Sequence, residues 1–323
     1  MRTKVVVDVE GRQVALTNLE KVLYPSGFTK GQVLDYYTRI APVLLPHLAG
    51  RAVTRKRYPD GVEGQVFFEK NAPRGTPDWV TVVTLPSPGS SKGRDTIDYV
   101  VVDELATLVW TANLAALELH THLWRVEAGT ESATARPPDL IVFDLDPGPP
   151  ATIVECCRVA LLLRPLLESD GHAVVAKTSG SKGMQLYARA DSFGSAEDTS
   201  AYAKSLAQRL EKEHPDLVVH RMTKALRDGK VLVDWSQNSA AKTTVSVYSL
   251  RARPTPTVST PVTWDEVAAC RRPEDLVFTS DDVLARVEDL GDLFAPLLGG
   301  GPARPRVRLR SPGAPAPAGA ARR

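Results

Sequence analysis

Asp139-Leu140-Ile141-Val142-Phe143-Asp144-Leu145-Asp146-Pro147-Gly148 is the stretch that decides the fold. Its four apolar residues, Leu140 to Phe143, lie between acids, which is the pattern of a short central strand buried on both faces. Side chains alternate along a strand, so Asp144 and Asp146 project to the same side at its end. Two carboxylates so placed resist ionising together unless a cation compensates them, and hard divalent ions such as Mg²⁺ or Mn²⁺ prefer such oxygens. Taken alone, the pair reads equally well as a strand-ending turn whose acid caps the next helix.

A second apolar strand weighs against the turn. Val231-Leu232-Val233-Asp234-Trp235 is interrupted by one acid, and a buried strand has little reason to carry an unpartnered carboxylate. Beside the first pair, Asp234 would complete a three-carboxylate cage of the kind that binds two metals for phosphoryl or nucleotidyl transfer. Between the two strands lies Thr178-Ser179-Gly180-Ser181-Lys182-Gly183. Its glycines let backbone N–H groups approach phosphate oxygens, while Ser179 and Lys182 add a hydroxyl and a point charge. It lacks the spacing of a Walker A loop, and a run of this kind is commonly a plain hairpin turn.

Around these strands the periodicities predict an α/β (α+β) fold. Downstream of Asp146 come a helix over Ala151 to Ser169 with Pro165 as a kink or early stop, a strand Ala173 to Thr178, a strand Gln185 to Ala188, a helix Thr199 to His214 and a strand Leu217 to His220. Upstream, Lys4 to Val9 and Gln13 to Leu16 read as a hairpin, and Thr29 caps a helix over Lys30 to Ala41. Gly64 to Val102 alternates like strands, with turn signals at Pro59-Asp60-Gly61 and Ser87 to Ser91. A long helix capped by Asp103 is predicted next, its stripe Leu105, Leu108, Val109, Ala112, Ala115, Ala116 and Leu119 leading to His120 and His122. Residues 1–298 are expected to be one catalytic domain of two packed halves divided near residue 135, with 299–323 a disordered basic tail.

Bulk properties exclude several classes. The 323 residues carry 40 Lys plus Arg against 38 Asp plus Glu, so affinity for an anion must come from local clustering of charge. Cys156, Cys157 and Cys270 show no CxxC spacing, which speaks against a zinc site and a secreted disulfide framework. The start of the chain lacks the basic head and apolar run of a signal peptide. A membrane span would need about 18 uninterrupted apolar residues, and none is found. A soluble cytoplasmic protein is expected.

Together, Asp144-Leu-Asp-Pro-Gly, Ser179-Gly-Ser-Lys182-Gly, Val233-Asp234-Trp-Ser-Gln237-Asn and Tyr248-Ser-Leu-Arg251 resemble, in order, the polymerase domain of bacterial ligase D proteins, in the archaeo-eukaryotic primase superfamily. The resemblance runs from about Leu16 to Leu298 and implies a primase-like core of central sheets flanked by helices. It also implies a template-directed polymerase and primase acting on gaps and double-strand breaks in non-homologous end joining, preferring ribonucleotides, with two Mn²⁺ or Mg²⁺ ions. Asp144, Asp146 and Asp234 would hold the metals. Ser179, Lys182, Arg227, Gln237 and Arg251 would hold the incoming NTP or dNTP, and Lys56 and His120 match further nucleotide-site positions. Lys21 and Lys30 resemble a pocket for the 5′-phosphate across a gap, and Phe67 and Phe68 resemble aromatics that stack on template bases. Such contacts are sequence-tolerant, as an enzyme accepting any end requires.

The implied partners are DNA with gaps or ends, with Ku and a separate DNA ligase as candidates; the stand-alone length implies no attached ligase or nuclease module, and the implied setting is the bacterial nucleoid. One position departs from the family, which usually has His where Gly183-Met184-Gln185-Leu186 places Gln185. A proton-transfer role is lost there, although an amide can still hydrogen-bond. Two rival readings are a haloacid-dehalogenase-like phosphatase and a non-catalytic DNA-end-binding module. Pro147-Gly148 follows the acid pair where the phosphatase motif normally ends in Thr, and three acids beside a phosphate pocket would weaken DNA binding without metals.

Overall fold

The computed structural model describes residues 4–87, 95–127 and 133–299. In chain order these form β1 (Lys4–Val9), β2 (Arg12–Thr17), α1 (Lys30–Leu48), β3 (Ala52–Arg57), β4 (Phe67–Glu69), β5 (Val82–Pro86), β6 (Thr96–Val101), α2 (Leu105–Asn113), β7 (Ala116–Thr121), β8 (Trp124–Glu127) and β9 (Thr134–Pro138). They continue with β10 (Leu140–Pro147), α3 (Ile153–Ser169), β11 (Val174–Thr178), β12 (Met184–Arg189), α4 (Ala196–Glu213), β13 (Val218–Val219), β14 (Val231–Asp234), β15 (Thr244–Val245), β16 (Pro261–Val262), α5 (Trp264–Ala269) and α6 (Ser280–Leu290). The expected basic tail, apart from Gly299, and most of the Ser87 to Ser91 turn lie outside the described residues.

Two six-stranded sheets carry the architecture. One runs β13-β14-β10-β12-β11-β16, and the other β15-β7-β3-β6-β5 with β4 paired to β3. Alternation along β10 divides the first sheet into two faces. Ile141, Phe143 and Leu145 pack with α3 residues such as Cys156 and Leu163 and α4 residues such as Ala203 and Leu210. Val142 and, on β12, Tyr187 belong instead to the core built on the N-terminal elements. Asp144 and Asp146 share the side of Val142 by the same period of two, so the acids face the N-terminal half and not the helices.

Local signals set most boundaries. Thr29 and Thr152 each close a capping box, with Gln32 and Glu155 respectively. Helix α1 extends beyond Ala41 to Leu48 despite Pro42 and Pro46, and α3 passes through Pro165 to Ser169. All three prolines are exposed, so the carbonyls they leave unpaired can reach water.

The long helix expected after Asp103 is a correction. Helix α2 stops at Asn113, its N-cap is Glu104 without a side-chain cap bond, and Ala116–Thr121 is a strand. The chain reverses through Ala115 at φ 57°. Leu117 and Leu119 alternate with Glu118 and His120, and because β7 is covered on both sides this period of two is masked by a run that also fits a helical stripe. His120 therefore sits on a strand. The strand expected over Leu217 to His220 shortens to Val218–Val219, and Trp235 opens a 3₁₀ turn, Trp235–Asn238, instead of extending β14.

That turn carries a structural device. Where β14 ends, Asn238 takes over the ladder: its Oδ1 accepts from Val142 N at 2.9 Å and its Nδ2 donates to Val142 O at 2.8 Å. The side chain is 1% exposed and stands in for a strand residue beside the acid-bearing segment of β10. Replacing it by Leu would strand two buried backbone groups, each costing about 1–3 kcal/mol. Asn238→Leu is therefore expected to lower the urea midpoint by an amount equivalent to roughly 2–5 kcal/mol, and a loss below about 1 kcal/mol would refute this bracing role.

Candidate active site

Register brings the acids together. Asp144 pairs directly with Asp234 across β10 and β14, and Asp146 lies two residues along on the same face. One carboxylate oxygen from each of the three lies within 4.8 Å of the others. Asp234 is buried, Asp144 half-buried and Asp146 exposed, so the cluster opens outward. Asp234 is fastened by Ser236 N at 2.9 Å, by the Ser236 hydroxyl at 2.5 Å and by Gln237 Nε2 at 3.1 Å. Gln185 Nε2 donates to Asp144 Oδ1 at 3.0 Å.

The electrostatics are those of an acid cluster whose burial and mutual repulsion outweigh the positive charge nearby. Burial, then Asp146 and Asp234, push the Asp144 carboxyl up to about 7, with Gln185 and Lys177 opposing. Asp146 is raised as well, by burial and by Asp234, with Arg227 opposing. Three oxygen donors at this spacing, mutually repelling and open on one side, fit hard divalent cations.

A cavity of about 310 Å³ opens beside them, lined by Asp144, Asp146, Ser179, Lys182, Gln237 and Arg251, among others. The Ser179 to Gly183 loop forms one wall. Ser179 Oγ accepts from Ser181 N at 3.3 Å and from Gly183 N at 3.2 Å, which folds the loop on itself. Glycine is required at Gly183, where a Cβ would stand 2.2 Å from Leu145 O, and at Gly180, with φ +65° and a Cβ 2.6 Å from the Val258 backbone. Lys182 stands exposed at the tip.

The opposite wall is organised by a residue that the sequence did not single out. Glu118, 2% exposed on β7, receives Lys56 Nζ at 3.1 Å, His120 Nε2 at 2.9 Å and Arg251 Nε at 3.3 Å. Lys56 lies opposite it on β3, and His120 is two residues along the same strand face. Burial would raise the Glu118 carboxyl, but the His120 hydrogen bond and the Arg251 and Lys56 charges hold it far below the ordinary range. Arg251 also donates to Ser179 O, tying this wall to the loop. The signal was an acid facing inward between Leu117 and Leu119, hidden by the helical reading.

Other candidate residues are dispersed. Arg227 lies outside that cavity lining, and its Nη2 donates to Met222 O at 2.7 Å, although its charge reaches Asp146. Lys21 pairs with Asp60 at 2.9 Å. Lys30 is 5% exposed, donates to Thr17 O at 2.6 Å, and is pulled down to about 8 by burial, Lys21 and Arg57. Phe67 and Phe68 are both exposed, at 36% and 53%, where adjacent rings on a strand ordinarily bury one. Phe68 meets His120 edge-on with centroids 6.2 Å apart, which links this patch to the cavity wall.

Comparison with known proteins identifies a family. The model of the LigD primase-polymerase domain matches residues 29–294. The chain belongs to that family. It is 44% identical over 286 residues to the multifunctional non-homologous end joining protein LigD of Mycolicibacterium smegmatis, covering 88% of this chain and 36% of that protein. It is 30% identical to the bifunctional LigD of Bacillus subtilis, covering 87% and 44% respectively. The chain thus spans less than half the length of these relatives. The solved polymerase domain of Mycobacterium tuberculosis ligase D, in complex with DNA, superposes with a TM-score of 0.83 at 42% identity, covering 90% of this chain and 99% of that one. Membership places the chain among the primase-polymerase domains, a nucleotidyltransferase type.

The raised carboxyls make the cation's effect on stability depend on pH. In the folded state Asp144 binds a proton up to about pH 7, whereas an unfolded aspartate releases it near its ordinary value of 3.8. Without metal, this group's contribution to stability therefore falls as pH rises through that window and is fully lost above it. A divalent ion relieves the repulsion when the acids are ionised. Mn²⁺ is expected to raise the unfolding temperature more at pH 8 than at pH 5.5. Equal shifts at the two pH values would contradict the cluster's assignment as the cation site.

Proposed function

We propose that this protein is a template-directed polymerase and primase that fills gaps or extends DNA ends in non-homologous end joining, with ribonucleotides preferred. The observation that carries the proposal is the three-acid cluster on one wall of a cavity whose other walls are a Gly-Ser-Lys loop and a Glu118-organised set of cations. Polyanionic triphosphates call for several converging cations and donors, and a metal cluster alone would not explain that second wall. Residues 1–298 act in this reading as one catalytic unit of two packed halves divided near residue 135.

Asp144, Asp146 and Asp234 would hold two Mn²⁺ or Mg²⁺ ions. Such ions supply Lewis-acid stabilisation of a primer 3′-oxygen and of the departing pyrophosphate. The protein's own groups supply position. Ser179, Lys182, Gln237 and Arg251 would cradle the triphosphate, and Lys56 and His120 would meet it on orientations fixed by Glu118. Arg227, whose charge already reaches Asp146, would close on phosphate from the far side. Lys21 and Lys30 would take a 5′-phosphate by exchanging Asp60 and the Thr17 carbonyl for it, and the exposed Phe67 and Phe68 would stack on template bases. NTP or dNTP, Ku and a separate ligase are the partners this reading requires, in a bacterial nucleoid setting.

Primer extension on gapped DNA, offered each nucleotide type with each metal, tests the function. Asp144→Ala with Asp146→Ala is expected to abolish incorporation while leaving the unfolding transition intact. Continued incorporation by that variant would sink the proposal, as would release of phosphate from small phosphomonoesters in place of incorporation. Glu118→Gln keeps the shape and removes the charge that aligns two cations and an imidazole. It is expected to raise the nucleotide KM about tenfold, equivalent to about 1.4 kcal/mol, with DNA affinity unchanged, and an unaltered KM would remove Glu118 from the site.

A further inference from the structure

The polar row on the catalytic sheet continues past the acids. Residues facing one another in the ladder run Asp234, Asp144, Gln185, Lys177 across β14, β10, β12 and β11. Lys177 is 1% exposed and does not line the acid-bearing cavity. Its Nζ donates to Gln185 Oε1 at 2.6 Å, to Ser259 Oγ at 2.7 Å and to Val245 O at 3.1 Å, one acceptor for each ammonium hydrogen. Ser259 Oγ uses its own hydrogen on Thr178 O at 2.9 Å, so toward the lysine it can only accept.

Gln185 is thereby given one orientation. Its Oε1 accepts from Lys177 and, at 3.3 Å, from Tyr187 Oη, which leaves Nε2 to donate to Asp144 Oδ1 at 3.0 Å. Turning the amide over would set its NH₂ group against the ammonium and its oxygen against the carboxylate, replacing two hydrogen bonds by two repulsions. Burial and the Arg251 charge push the Lys177 amine well down, and the Asp144 charge opposes them. Three partners that can only accept hold it as the ammonium and so fix a neutral amide whose other end touches an acid of the cluster.

We propose that Lys177 is a positioning residue that acts through Gln185 to fix the orientation of the Asp144 carboxylate for binding a divalent cation. The inference rests on the reading of Asp144 as a cation ligand. Field and position predict opposite signs. A lysine acting by charge alone would repel the cation, and its removal would tighten binding; a lysine that orients the ligand would weaken binding when lost.

Mn²⁺ affinity, read directly from the EPR signal of free Mn²⁺, should be measured on the full chain as wild type, Lys177→Met, Gln185→Leu and the double variant. Each single substitution is expected to weaken Mn²⁺ about tenfold, as loss of a partner behind a metal ligand typically does. The double variant should be no weaker than Gln185→Leu, because the two act in series. For Lys177→Met, which lies outside the cavity, nucleotide KM at saturating Mn²⁺ should stay unchanged, which a general loss of structure would not allow. Tighter or unaltered Mn²⁺ binding by Lys177→Met overturns the inference, and so do multiplicative effects in the double variant. If Lys177→Met does not fold, Ser259→Ala removes one lysine acceptor and should weaken Mn²⁺ in the same direction by a smaller factor; no change there overturns it equally. Absence of Mn²⁺ binding by the wild type would sink the cation assignment and this inference together. Binding without nucleotide incorporation would sink the polymerase proposal and leave this inference standing.

Discussion

Repulsion among three carboxylates on adjacent strands is the constraint around which the rest of this molecule is arranged. A strand pair that places Asp144 directly opposite Asp234, with Asp146 on the same face, is an expensive way to end a buried sheet. The surroundings pin two of the acids by neutral donors: Gln185 on Asp144, and Ser236 and Gln237 on Asp234. No lysine or arginine among the described residues forms a salt bridge with any of the three within 4.0 Å. The cluster is therefore oriented without being neutralised, a condition that favours a cation from outside.

The second wall solves the reverse problem. Lys56 and Arg251 would repel one another, and one buried acid, Glu118, draws them and the His120 imidazole, which burial holds below its ordinary range, together from behind. His120 and Arg251 line the cavity, and a single carboxylate cannot take up all their donors. An acid cluster facing a cation cluster across about 310 Å³ is suited to a ligand that carries its own metal-bound negative charge.

Much of this was legible in the sequence because it obeys short periods. The apolar run before Asp144, the isolated acid in Val231 to Trp235 and the glycines of the Ser179 loop each state a local rule, and the local rules agree. The lost information is of two kinds. β7 is buried on both faces, so Glu118 looked like one polar break in a helical stripe and its partners, 62 residues upstream at Lys56 and 133 downstream at Arg251, were invisible. Lys177 fell within the predicted strand Ala173 to Thr178, beside the conspicuous Thr178 to Gly183 run, and nothing in its neighbours along the chain set it apart. What it touches depends on Val245 and Ser259, which only the fold brings near.

The segment from Asp234 to Val262 explains why the two walls stay in register. It leaves the catalytic sheet at Asp234, braces Val142 through Asn238, joins the other sheet by pairing Val245 with His120, and returns to the first sheet by pairing Val262 with Ala176. Between these visits Tyr248 adopts φ 61°, a conformation costing an aromatic residue about 1–3 kcal/mol. It is held there by Tyr36 Oη on its carbonyl at 2.8 Å, by its own hydroxyl on Asp292 at 2.7 Å, and by its N–H on Ser259 O at 2.8 Å. That turn delivers Ser249 to Leu119 N at 2.9 Å and Arg251 to Glu118, while Ser259 on the return leg supports Lys177. One strained residue thus links the position of the cation wall to that of the lysine behind the acids.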